Sequence, residues 1–211
     1  MRSKEPLLDA AGFAALTNVS RETLARFEAY AGLLRRWSPA INLVGRDSLD
    51  DIWRRHFLDS AELLDYLPAG AETLVDLGSG AGFPGLVLAM LGVPRVTLIE
   101  ADVRKATFLR EAARITDSRV EIRTARIDAV PAQIFDVVSA RACAPLDQLL
   151  SLSERFIGGK TRCLFLKGAR VEEELTAARR DWTIAASCHR SRSDPRGVVL
   201  SLDQVAREPH R

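Results

Sequence analysis

The pattern of apolar and polar positions changes character near residue 70. Before that point apolar residues recur at helical spacing, with Leu24, Phe27, Ala31, Leu34 and Trp37 falling on one stripe. Ser20 carries the side-chain oxygen of an N-cap, and Val19 is placed to staple onto Leu24 one turn in. Pro39 and the polar stretch Gly45-Arg46-Asp47 break the stripe. Ser48, with Asp51 three residues later, predicts a second helix running to about Leu67-Pro68. Residues 17–67 therefore read as helical. From residue 73 short apolar strands alternate with helices. The strands fall at 74–77, 96–100, 120–123, 135–139 and 163–167, and the helices at 84–91, around 105–112, at 146–156 and at 171–180. Two β-rich runs near 182–188 and 197–202 flank the polar segment 190–197 and can pair only as an antiparallel hairpin.

Strand–helix alternation predicts a parallel sheet with helices on both faces. The expected architecture is α/β and Rossmann-like: a seven-stranded, mostly parallel sheet ending in an antiparallel C-terminal hairpin, behind a helical N-terminal cap. The expected division is 1–70 for the cap and 71–211 for the α/β domain.

Composition narrows this without identifying a function. At 211 residues, with 47% hydrophobic and 27% charged, the chain suits one domain with a modest extension rather than a disordered segment. No apolar run approaches the length of a membrane span, and Met1 to Pro6 lack a signal-peptide core, so a cytoplasmic location is expected. Cys143, Cys163 and Cys188 are too few and too scattered for a disulfide framework or a zinc site. His189 and His210 lack partners at metal spacing, and no metal is expected. The net charge of +2 hides an asymmetry: residues 159–211 hold eleven basic against seven acidic side chains. That excess could dress a surface for phosphates or simply be solvated.

The chemistry-bearing segment is Asp76-Leu77-Gly78-Ser79-Gly80-Ala81-Gly82. A strand that ends in glycines and runs into a helix leaves bare backbone at the carboxyl edge of a sheet, where open α/β folds bind nucleotides. Gly78, Gly80 and Gly82 let a ligand approach without meeting a Cβ. Glu100 ends the next strand, placed to accept two hydrogen bonds from a ribose diol. A dinucleotide site uses similar parts, and Gly80-Ala81-Gly82-Phe83-Pro84-Gly85 matches its glycine fingerprint. The fingerprint starts two residues late against the strand, however. Pro84 also stands where a pyrophosphate wants backbone N–H groups, and proline has none. Asp76 adds a carboxylate that suits a sulfonium and an α-ammonium better than a pyrophosphate. S-adenosylmethionine is the better match. In such folds the loop after the third strand reaches the adenine, pointing to Ile127 and Asp128, and the loop after the fourth, residues 139–145, faces the methyl group.

These residues bring a family into view. The chain resembles the GidB (RsmG) family of bacterial 16S rRNA guanine-N7 methyltransferases, which use a class I fold. The matching pieces are Trp37 with Ile41-Asn42-Leu43, Arg55-His56-Phe57-Leu58-Asp59-Ser60, the glycine segment through Phe83-Pro84-Gly85, Lys105 with Phe108-Leu109, Arg141-Ala142, and Leu166-Lys167-Gly168. They keep their order from about residue 25 to 168. Ser38-Pro39 and Val44 depart from the usual pattern. The resemblance implies cofactor contacts at Gly78, Phe83, Ile127, Asp128 and Arg141, with Glu100 on the ribose. It also implies a substrate, one guanine of 16S rRNA, presented naked or in a small ribosomal subunit or its precursor.

Guanine N7 has an exposed lone pair and no proton, so methylation there needs alignment rather than a general base. Arg141 is the leading candidate facing the methyl group and substrate, with Lys167 and His56 at the entrance and Asp59 and Ser60 as further substrate-binding candidates. Each also has a plainer reading. His56, Asp59 and Ser60 share a helix face and could form a capping or interhelical cluster. Cys143 suits packing, Cys163 and Cys188 read as core, and Glu172, Glu173 and Glu174 suit the start of a solvated helix. Three other readings stay open: a methyltransferase acting on another RNA, a small molecule or a protein; a non-catalytic ribosome-assembly factor that binds the cofactor; and, further back, an NAD-dependent oxidoreductase. The chain is expected to act as a monomer.

Overall fold

The computed structural model describes residues 7–141 and 143–208, apart from the side chain of Arg46. A first helix, α1 (Ala10–Thr17), lies ahead of the expected helical region. Its signals were local: Asp9 accepts from the Gly12 N–H at 2.7 Å as N-cap, and Asn18 closes it in the left-handed conformation. Helix α2 (Arg21–Ile41) begins as the sequence predicts, with Ser20 accepting from the Thr23 N–H at 3.1 Å. Pro39 does not end it. The helix continues two residues further and stops at Asn42, also left-handed.

The second helix differs from expectation at its start and in its form. It opens at α3 (Arg46–Leu49), and Ser48 is not its N-cap: its hydroxyl donates to the Gly45 carbonyl at 2.7 Å. Beyond it the chain passes through a π-helical segment (Trp53–Leu58), a short α4 (Asp59–Ala61) and a 3₁₀ turn (Glu62–Tyr66). Buried aromatics dominate here. Phe57 meets Trp53 and Phe27 at ring-centroid distances of 5.0 and 5.1 Å, and Phe13 closes on Phe27 at 5.0 Å.

The strands are β1 (Thr73–Leu77), β2 (Arg95–Glu100), β3 (Val120–Thr124), β4 (Val137–Arg141), β5 (Arg162–Lys167), β6 (Trp182–Arg190) and β7 (Val198–Arg207). They form one seven-stranded sheet in the order β3-β2-β1-β4-β5-β7-β6, parallel except at β7, which is antiparallel to β5 and β6. The interior strands are buried and mostly apolar because both faces are covered. Successive residues of β1 serve opposite faces. Leu74 joins the core under α2, α5 (Gly85–Met90) and α6 (Val103–Ile115), whereas Val75 and Leu77 join the core under α7 (Leu146–Ser153) and α8 (Val171–Ala178). The N-terminal helices share the first of these cores with the sheet.

Strand β4 lies two residues later than the hydrophobic run suggests. Asp136 is drawn out of it as a clamp, accepting from the N–H groups of Glu72 and Thr73 at 3.0 and 2.9 Å and from the Thr73 hydroxyl at 2.8 Å. The later register carries Arg141 to the carboxyl end of the sheet, beside the turning point of the strand order between β1 and β4. Among the described residues no helix is long and apolar enough to cross a membrane.

Candidate active site

The loop after β1 is built from backbone. Gly78, Gly80 and Gly82 have φ of +64°, +57° and +93°, in the region L side chains avoid. At Gly82 space forbids a side chain as well, since a Cβ would lie 2.5 Å from the Tyr30 Oη and 2.9 Å from the Leu86 Cβ. The Tyr30 hydroxyl donates to the Ala81 carbonyl, so α2 pins the loop from below. Glu100 pins it from the side, one carboxylate oxygen accepting from the Gly80 N–H and the other from the Asp102 N–H, both at 2.8 Å. Each oxygen keeps a further lone pair for a ligand. Asp76 is wholly buried behind the loop. Its Oδ1 accepts from the Ser139 hydroxyl at 2.9 Å, and its Oδ2 is without a direct hydrogen-bond donor among the described residues. Burial pushes its carboxyl up to about 6, against the Ser139 hydrogen bond and the positive charge of Arg141.

Beside the loop lies a cavity of ≈ 240 Å³ lined by Gly78, Ile99, Glu100, Ala101, Ile127 and Asp128, among others. Ile99, Ala101 and Ile127 give it apolar walls and Glu100 an anionic edge, a combination suited to an adenosine. Asp128 pairs with Arg126 at 2.9 Å, which holds its carboxyl below the usual range. The buried Asp76 carboxyl, the glycine loop in front of it and this cavity together fit the cationic amino-acid end and the nucleoside end of S-adenosylmethionine.

Across β4 the character changes. Arg141 lies over the Phe83 ring, 4.7 Å from its centroid, and donates to the Arg55 carbonyl at 3.1 Å and to the Asp59 carboxylate at 3.4 Å. His56 stacks on the same ring at 4.8 Å. Its Nε2 sits 2.9 Å from the Ser48 hydroxyl, and its buried Nδ1 has no hydrogen-bond partner among the described residues. Burial, with the charges of Arg141 and Arg55, lowers its pKa to about 2, so the imidazole is neutral. Two clefts of ≈ 700 and ≈ 690 Å³ open here, and Arg141, Asp59 and Asp194 line both. Cys143 lines the first cleft and also the smaller cavity, so the two spaces adjoin at this residue.

The structure thus gathers Arg141, Phe83, His56 and Asp59 into one cluster and places Glu100, Ile127 and Asp128 around the cavity. Lys167 lies on the wall of the larger cleft, tied to Glu174 and to the Ala144 carbonyl at 2.8 and 2.9 Å. Ser60 is not brought to either cleft: it is fully buried, and its hydroxyl has no hydrogen-bond partner among the described residues. Ala142, within the 139–145 loop expected to face the methyl group, and His210 lie outside the described residues. Sequence reasoning missed Tyr30 and the loop residues Ser193, Asp194 and Arg196. The signal for the loop was the basic excess of 159–211, which named no residue.

Fold and site together define a class I S-adenosylmethionine-dependent methyltransferase architecture. The fold matches a TehB-like SAM-dependent methyltransferase from Corynebacterium glutamicum, with TM-score 0.56 at 15% identity over 85% of this chain and 98% of that one. It also matches an MtNAS variant in complex with S-adenosylmethionine, with TM-score 0.57 at 15% identity over 93% and 84%. The family model GidB, rRNA small subunit methyltransferase G, matches residues 23–193, and the chain belongs to this family. Proteins named Ribosomal RNA small subunit methyltransferase G are similar to it along almost its whole length. That of Rhodospirillum centenum is 53% identical over 205 residues, 97% of this chain and 95% of the relative. That of Rhodospirillum rubrum is 53% identical over 195 residues, 92% and 97%.

Proposed function

We propose that this chain transfers a methyl group from S-adenosylmethionine to N7 of one guanine in 16S rRNA. The observation that carries this reading is that a nucleoside-sized cavity and a large cleft adjoin at Cys143, with Arg141 on the wall of the cleft, in a chain of this family. A donor held in the first space faces an acceptor base in the second. The bound cofactor supplies a methyl group on a positively charged sulfur, which the N7 lone pair accepts as the carbon–sulfur bond breaks.

The protein's own contribution is placement and electrostatics. Glu100 holds the ribose hydroxyls, Ile127 and Asp128 face the adenine, and Asp76 behind Gly78 balances the positive end of the cofactor. Arg141 presents a guanidinium lying over Phe83, with donors left to meet O6 of a guanine while N7 stays free. His56, kept neutral, adds no second cation where the purine itself becomes positive. No side chain is required to remove a proton. The rRNA is taken naked or in a small-subunit particle, by a monomer in the cytoplasm.

Labelled-methyl transfer to intact small subunits and to protein-free 16S rRNA in parallel, with mass mapping of the product nucleoside, tests the reading. The expected product is 7-methylguanosine at one position. Label on a base N1 or a ribose would refute the acceptor atom.

A further inference from the structure

We propose that Ser193, on the loop joining β6 to β7, is a positioning residue for methyl transfer: it clamps Asp59 and, through Asp59, sets the plane of the Arg141 guanidinium. This rests on the assignment of Arg141 to the substrate side of the site.

The Asp59 carboxylate is divided between two partners. Its Oδ1 accepts from the Ser193 hydroxyl at 2.6 Å, and its Oδ2 accepts from Arg141 at 3.4 Å. The second distance is long for a charge-assisted bond, so Arg141 alone does not fix the carboxylate. The serine does. Ser193 is itself buried, and its N–H donates to the Ser191 hydroxyl at 3.0 Å. That hydroxyl in turn donates to the Glu62 carboxylate at 2.6 Å, whose other oxygen accepts from the Arg192 N–H at 2.8 Å. Glu62, just past α4, is almost fully buried, so the β6–β7 loop is fastened to the N-terminal helices one turn from Asp59. A free aspartate would sample several rotamers and let the guanidinium tilt. Held as it is, the carboxylate offers Arg141 one direction. Aligning an acceptor atom with a methyl group tolerates little tilt.

A loop anchor that only stabilised the fold would not need to reach Arg141. The same loop has a second anchor, Arg192 to Asp65 at 2.8 Å, exposed to solvent and between residues that do not line the clefts. The two anchors separate positioning from docking.

The test compares Ser193→Ala, Ser193→Thr, Asp65→Ala and Arg141→Ala in single-turnover methylation, in affinity for S-adenosylhomocysteine and in thermal unfolding. Ser193→Ala is expected to slow methyl transfer about 10-fold with cofactor affinity and KM for rRNA within about twofold. Ser193→Thr, which keeps the hydroxyl, recovers most of the rate, and Asp65→Ala stays within about twofold of the parent. Undiminished transfer in Ser193→Ala beside a crippled Arg141→Ala overturns the positioning role alone. Equal losses in Ser193→Ala and Asp65→Ala also overturn it, since docking would then explain both. Undiminished transfer in Arg141→Ala removes the underlying assignment and this inference with it.

Discussion

The two sides of the β1–β4 junction are built in opposite ways. On the cofactor side the working groups are backbone atoms and the carboxylates of Asp76, Glu100 and Asp128, drawn from the ends of adjacent strands and the loops that follow them. On the cleft side they are side chains from four distant segments: the π-helical region and α4, the end of β4, the end of β5 and the β6–β7 loop. A backbone site is specified by a few neighbouring residues that must be glycine. A side-chain site is specified by register and packing across the whole chain. The first should therefore break sharply at single positions, and the second should fail by degrees.

The largest effect is expected at Gly82→Val. A β-branched side chain at φ +93° and 2.5 Å from Tyr30 combines backbone strain with overpacking, for a loss of roughly 2–5 kcal/mol of stability in denaturant unfolding. An unchanged midpoint would mean that the loop can move away from α2. Next comes Arg141→Ala, expected to slow methylation about 100-fold while the protein stays folded by circular dichroism. Near-parental turnover would move the substrate contact elsewhere in the cleft.

The third prediction uses two buried groups on either side of the junction. His56 titrates near 6.5 when unfolded but near 2 when folded, so the unfolded chain binds the proton first. Its contribution is intact above pH 6.5 and is lost as the pH falls below that value. Asp76 works the other way: its folded pKa of about 6 exceeds the ordinary 3.8, so a burial penalty present above pH 6 is relieved as the pH falls. In the parent the two largely offset. Asp76→Asn should expose the histidine, with stability dropping by about 2 kcal/mol between pH 6.5 and 5. Flat unfolding midpoints across that range would show that the imidazole is not held neutral. The smallest effect is expected for Glu100→Gln, about a 10-fold weaker Kd for S-adenosylhomocysteine by calorimetry. It sharpens the comparison because an amide can accept from only one of the two N–H groups that the carboxylate now serves.

Much of the fold was legible because its signals are local. Ser20 capped α2 as expected, all seven strands were found, and the antiparallel end of the sheet followed from the short connection between β6 and β7. The misplacements have physical causes. Strand β4 slid because Asp136 prefers the N–H groups at the entrance of β1, a partner some sixty residues away in sequence. The helix after Gly45 changed type because Trp53 and Phe57 pack into an aromatic cluster supplied by α1 and α2. On the site, Glu100, Ile127 and Asp128, expected from their places after the second and third strands, line the small cavity. The spacing of His56, Asp59 and Ser60 predicts a shared helix face, yet Asp59 lines the clefts while Ser60 is fully buried.

By itself the sequence determined that a glycine loop ends the first strand, that a carboxylate ends the second and that the sheet is closed by a hairpin. Each follows from residue chemistry acting over a few positions. Only the tertiary structure decided what Arg141 touches and that Ser193 stands behind Asp59. Those contacts join residues more than eighty positions apart, and no local periodicity encodes a distance of that kind.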